Sequence, residues 1–200
     1  MWGKAAERFQ RVRRGLGTSL DKRYRMDAYR IYGANHLAEP LFSMPEIAIP
    51  PKLIAPPPPV IPGEALPPEA ITDIAVPYLP DLPEVGGQFQ VKTISIPEAM
   101  SKGGNLLLFG PPGSGRTFAA SRLACQVALK DPAAGALSEL IPFYVHVGGL
   151  DLSKPDQPVE ILYNELANKV SIMVEASLKD LIRSSFSSKN ALLIVDGLDE

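Results

Sequence analysis

Fifteen of the chain's 21 prolines lie between Pro40 and Pro97, four of them consecutive at Pro56 to Pro59. Each proline fixes φ and removes a backbone donor, so neither a long helix nor a central strand can run through this stretch. An average chain of 200 residues carries about ten prolines in all, and the enrichment therefore divides this one into three regions. Residues 1–36 are read as a basic helical arm, 37–97 as an extended proline-rich linker, and 98–200 as the folded remainder. Within the linker, APPPPVIPGEALPP reads as a polyproline II spacer whose P-x-x-P spacing lacks the flanking arginine of an SH3 ligand. FSMPEIAIPPKLI and ITDIAVPYLPDLPEV interleave apolar residues with the prolines and read as segments docked on a folded surface.

The arm carries Lys4, Arg8, Arg11, Arg13, Arg14, Lys22, Arg23, Arg25 and Arg30 against Glu7, Asp21 and Asp27. Its net charge of +6 stands against −2 for the whole chain, which leaves −8 for the rest. Asp21 can cap a helix in which Tyr24, Ala28 and Tyr32 share one face, and Gly15 and Gly17 separate it from an earlier short helix. Such a helix either meets an anionic surface (nucleic acid, lipid or an acidic partner) or packs its tyrosines on a neighbouring element, the more ordinary use. Cys125 is the single cysteine, which excludes an intramolecular disulfide and a thiolate zinc cluster, and His36 and His146 are too few for a histidine metal site. No apolar run reaches 18 residues and no signal-peptide core follows the basic start, so a cytoplasmic protein is expected.

After Pro97 the pattern becomes that of an α/β unit. Asn105 to Phe109 (NLLLF) is a short apolar run before a glycine turn, and Thr117 to Lys130 is an alanine- and leucine-rich helix stopped by Asp131 and Pro132. Phe143 to Val147 (FYVHV) and Ala191 to Val195 (ALLIV) have strand composition. Between them, Pro158 opens a long helical stretch with Val159, Leu162, Leu166, Val170 and Met173 on one face. Strands alternating with helices predict a parallel sheet. His146 and Cys125 read as packed residues within these elements, and Trp2 as a terminal contact.

Between the first expected strand and its helix stands Gly110-Pro111-Pro112-Gly113-Ser114-Gly115-Arg116-Thr117, followed by Phe118. It fits G-x-x-x-x-G-[K/R]-[S/T], the phosphate-loop pattern with arginine in place of lysine. Glycines let such a loop curl so that successive N–H groups face a phosphate, and the helix that follows turns its positive end to the same anion. Residues 110–118 are therefore the candidate nucleotide-binding residues, with the Thr117 hydroxyl set to ligate Mg²⁺. The strand ALLIV delivers Asp196 at its carboxyl end, where open parallel sheets bind ligands, so Asp196 is the second candidate magnesium ligand. Gly197 leaves room beside it, and Asp199 and Glu200 are candidate catalytic carboxylates that polarise an attacking water.

GPPGSGRT paired with LLIVDGLDE resembles the NACHT group of signal-transduction P-loop ATPases, whose acidic motif runs as four apolar residues, Asp, a small residue, an apolar residue and Asp-Glu. The resemblance spans about residues 98–200. It implies a three-layer P-loop NTPase fold of which the chain holds the first three core strands, with a later strand inserted between the loop strand and the acidic strand. It implies ATP or GTP with Mg²⁺ as ligands, a nucleotide-dependent switch as the function, and self-association or protein partners through regions beyond Glu200. Gly110, Gly113, Ser114 and Gly115 would wrap the phosphates, Thr117 would bind Mg²⁺ directly and Asp196 through water, and Asp199 with Glu200 would serve hydrolysis. Val76-Pro77-Tyr78, ahead of that core, could border the base.

Arg116 departs from the family's lysine. Guanidinium is planar and bulkier than ammonium, so binding with slow or absent hydrolysis is expected. Two further readings remain: a nucleotide-sensing scaffold without catalysis, and an AAA+-type remodelling ATPase, in which Glu would directly follow the strand-end Asp where this chain has Gly197.

Overall fold

The structure, a computed structural model, describes residues 20–39, 41–54, 93–153 and 157–198. It is a mixed assembly of helices and strands that divides into two compact units, residues 1–48 with 117–200 and residues 49–116.

In the first unit β3 (Ile141–His146) and β4 (Ala191–Asp196) pair in parallel, with Ile141 opposite Ala191 and His146 opposite Asp196. The Ile141 N–H donates to the Asn190 carbonyl, so Ile141, Phe143 and Val145 turn their backbone groups towards β4. Pro142, Tyr144 and His146 then face the outer edge, and Pro142 is tolerated inside a buried strand because its missing N–H falls there.

Helix α1 (residues 20–33) covers that edge. Its tyrosine face is buried: Tyr24, Ala28 and Tyr32 are almost fully enclosed and join the core with Phe143, Val145 and Ile182. The Tyr24 hydroxyl donates to the Pro142 carbonyl at 2.8 Å, and the Tyr144 N–H donates to the Tyr32 hydroxyl at 3.2 Å. Side-chain hydroxyls thus complete a strand edge that would otherwise bury unpaired backbone groups. Asp21, expected as a cap, instead accepts from Arg25 one helical turn later. Arg25, 6% exposed, also donates to the carbonyls of Val127 and Glu139.

Helices cover both faces of the strand pair. Phe143 stacks on Phe186 of α7 (Leu178–Ser187) with ring centroids 5.8 Å apart, while its neighbour Tyr144 points the opposite way, where Ser121 of α4 (Arg116–Ala128) lies close to its hydroxyl. Both helices end in the same turn. Lys130 and Lys189 have φ of 55° and 56°, and the next residues, Asp131 and Asn190, donate back to Gln126 and Ser185.

The long helix expected from Pro158 is corrected. α5 (Pro158–Ala167) stops at Asn168, and a separate turn, α6 (Ile172–Glu175), follows. Ser171 between them gives its N–H and its hydroxyl to Asp27 of α1, and Arg30 donates to the Lys169 carbonyl. These bonds take backbone groups that a continuous helix would use for itself. Met173, placed on the core face by periodicity, is accordingly exposed.

The docking expectation for FSMPEIAIPPKLI holds at Met44, which lies in the core within α2 (Met44–Ile47). A Ser-x-Pro-Glu capping box starts that turn: Ser43 donates its N–H and hydroxyl to Glu46, which keeps the Glu46 carboxyl below its ordinary range. The second unit repeats the device at Ser95 and Glu98, opening α3 (Ile96–Ala99). It also holds a short antiparallel ladder between β1 (Leu53–Ile54) and β2 (Thr93–Ile94). Residues 55–92, with the polyproline run, the second docking segment and Val76-Pro77-Tyr78, lie outside the described residues, as do Lys4 to Arg14 of the arm.

Burial raises the Tyr24 and Tyr32 hydroxyls above their ordinary pKa of 10.0. The folded chain therefore favours the protonated phenols, an advantage fully present below about pH 10 and lost as pH rises beyond it. Urea unfolding should show stability falling above about pH 10, with a shallower fall in Tyr24→Phe. At neutral pH the same variant should lose about 1–2 kcal/mol, because the Pro142 carbonyl is left buried without a donor.

Candidate functional site

The loop from Gly110 curls through glycine conformations. The Ser114 N–H donates to the Pro111 carbonyl at 3.1 Å, with Pro112 and Gly113 between them and Gly113 at φ 81°. This is a type II turn, which takes proline first and a left-handed residue second. Gly115 is also at φ 81°, two residues on, immediately before α4. A Cβ on Gly113 or Gly115 would meet nothing within 4 Å, so backbone conformation, not crowding, calls for glycine at both. Gly110 differs: a Cβ there would come 2.8 Å from the Ser114 hydroxyl, which folds back over it. The first turn of α4 holds no acidic side chain, which suits an anion at its amino end.

Pro111 to Gly115 and Thr117 are exposed, whereas Arg116 and Phe118 are half-buried. Phe118 meets the His36 ring edge-on at 6.3 Å between centroids. His36 was not expected near these residues. Its two ring nitrogens are buried with no hydrogen-bond partner, the only such side-chain atoms among the described residues.

Asn105 to Phe109, expected as the strand leading into the loop, has no ladder partner: the sheets among the described residues are β1 with β2 and β3 with β4. A strand is stabilised by pairing and by burial of its side chains, and this segment has little of either, with Leu107 70% and Phe109 68% exposed.

Asp196 ends β4 opposite His146 and is half-buried. One of its oxygens accepts from the Tyr144 hydroxyl at 2.7 Å. Sequence reasoning did not find Tyr144. The available signal was register: a side chain two residues before His146 shares its face and reaches diagonally to the end of β4. Burial is the chief cause that raises the Tyr144 hydroxyl well above its ordinary range, and Asp196 adds to it. Cys125 is buried on α4, its thiol pushed up to about 12, in keeping with a packed residue and not a nucleophile.

Gly197 follows at φ 77°. A Cβ there would fall within 3.0 Å of three atoms of the His146 ring. His146, besides backing Gly197, accepts the Gly148 N–H on Nδ1. Asp199 and Glu200 lie outside the described residues.

Among the described residues no group of three or more His, Cys, Asp or Glu side chains could hold a metal, so a magnesium ion would need non-protein oxygens beside Thr117 and Asp196. No helix among the described residues is long and apolar enough to cross a membrane. Comparison of the chain with family models, with curated proteins and with solved structures gives no match.

Gly197→Ala should lower stability by more than the roughly 1–2 kcal/mol that positive φ alone costs a residue bearing a Cβ. In a His146→Ala background the same change should cost only that backbone part. A double-mutant cycle by thermal unfolding measures the difference, and additive effects would mean that the ring does not crowd position 197.

Proposed function

We propose that the chain binds a nucleoside triphosphate, ATP or GTP, with Mg²⁺, as part of a P-loop NTPase domain of the NACHT type, and that the nucleotide state sets a molecular switch. The reading rests above all on the loop: two glycines in left-handed conformation around Ser114, closed by a type II turn and running straight into a helix without acidic residues in its first turn. Such a loop can turn main-chain N–H groups to phosphate oxygens.

Main-chain amides of Gly110, Gly113, Ser114 and Gly115 would donate to the phosphates, with Pro111 and Pro112 shaping the turn. The exposed Thr117 hydroxyl would ligate Mg²⁺, and Asp196 would accept from water in its shell. The metal, when bound, neutralises charge on the β- and γ-phosphates. Arg116 would keep a positive charge at the loop, Phe118 would bound the site at the start of α4, and Asp199 and Glu200 would take the proton of an attacking water.

Gly197 favours the NACHT-type reading over the AAA+ reading. A glutamate directly after Asp196 would need a Cβ at φ 77° against the His146 ring. A cytoplasmic setting and protein partners for the switch belong to the same reading.

Titration of ATP and GTP with and without Mg²⁺ tests it. The full chain should bind one of them more tightly with Mg²⁺, and Asp196→Asn should remove about tenfold of that gain. Phosphate release should be slow in the parent and faster in Arg116→Lys. Affinity for neither nucleotide would overturn the reading, whereas binding with no release by either protein would leave a sensor without catalysis.

A further inference from the structure

We infer that Tyr144 is a positioning residue for Asp196, holding its carboxylate in the orientation that receives the water shell of Mg²⁺; the inference rests on the nucleotide reading above. The Tyr144 hydroxyl lies 2.7 Å from Asp196 Oδ2, and the tyrosine is itself fixed at several points. Its ring packs 5.3 Å from that of Tyr32, and its N–H donates to the Tyr32 hydroxyl. Ser121, which accepts from the Asn35 side-chain amide at 3.2 Å, lies close to its phenol. Ser121 is fully buried and Tyr144 nearly so.

The direction of this bond follows from its acceptor. An ionised carboxylate only accepts hydrogen bonds, so the single phenolic proton of Tyr144 goes to Asp196. Behind it the Asn35 side-chain amide donates to the Ser121 hydroxyl, which lies close to the phenol. The donor thus leans on a ring and a backbone bond anchored in the core. The bond occupies Oδ2 and leaves Oδ1 for water. A carboxylate at the end of a strand otherwise rotates about its side-chain torsions, and outer-shell donors that remove this freedom commonly carry about tenfold or more in metal affinity.

Tyr144 lies on β3 and contributes nothing to the phosphate loop in this scheme. Its removal should therefore leave metal-free nucleotide affinity alone and change only the response to magnesium. A loss of folding would instead lower affinity with and without the metal.

The test measures binding of ATP and GTP by the full chain across a Mg²⁺ series, and repeats it with Mn²⁺, in the parent, Tyr144→Phe, Asp196→Asn, the double variant and Tyr32→Phe. Tyr144→Phe should keep the metal-free affinity and need about tenfold more Mg²⁺ for half-maximal enhancement. It should add nothing in the Asp196→Asn background. Tyr32→Phe removes the acceptor of the Tyr144 N–H but keeps the phenol on Asp196, and it should leave the Mg²⁺ midpoint unmoved. A parent-like midpoint in Tyr144→Phe, an equal shift in Tyr32→Phe, or an additive effect with Asp196→Asn would each overturn the role of Tyr144 while the nucleotide reading stands. Absence of any magnesium effect in the parent would overturn both.

Discussion

The outer edge of β3 is the constraint on which the larger unit depends. A strand buried on both faces has every backbone group away from water, and among the described residues β3 has a partner strand on one side only. The opposite side is completed by a proline that needs no donor, a carbonyl that receives a tyrosine hydroxyl, and an N–H that reaches another. Because α1 supplies both hydroxyls, the N-terminal helix is part of the core and not an appendage to it. Arg25 reinforces the union. Its guanidinium sits at the carboxyl end of α4, where it meets the Val127 carbonyl and the helix dipole together.

That edge is also where fold and candidate site meet. Tyr32 fixes the backbone of Tyr144, and Tyr144 reaches Asp196 across the parallel register. The alternation that sends Phe143 to α7 sends Tyr144 towards α4 and the end of β4. One buried strand thus packs the core with odd residues and supports a polar chain with even ones. Its last residue, His146, fills the space beside Gly197, so the small residue after Asp196 is explained by a neighbouring ring as well as by its own φ.

Much of this was legible in sequence, for identifiable reasons. Tyr24, Ala28 and Tyr32 recur at helical spacing, which fixes a face, although spacing alone does not say that hydroxyls would finish a strand edge. ALLIV and FYVHV are dense in β-branched and large apolar residues, and both form strands. NLLLF has the same density and forms none, because a strand requires a partner as well as composition. The run after Pro158 kept helical periodicity through Met173, yet Ser171 is captured by Asp27 from a helix more than a hundred residues earlier. Local pattern cannot register a competitor so distant. Helix ends were obscured in another way: lysine, not glycine, takes the left-handed position after α4 and α7.

In the candidate site, the pattern G-x-x-x-x-G located the residues that need unusual backbone, and Gly113 and Gly115 have it. Motif logic names candidate residues but not the groups that hold them. Tyr144 lies more than fifty residues from Asp196 and belongs to no spacing rule, since only the parallel register brings the two together. Arg116 shows the converse. Its position is plain from sequence, but under the proposed nucleotide reading, whether a guanidinium can do what an ammonium does there depends on how its planar donors would meet phosphate oxygens. Charge is conserved by the exchange and geometry is not, so ground-state binding should tolerate it better than a transition state whose charge must be met at fixed points.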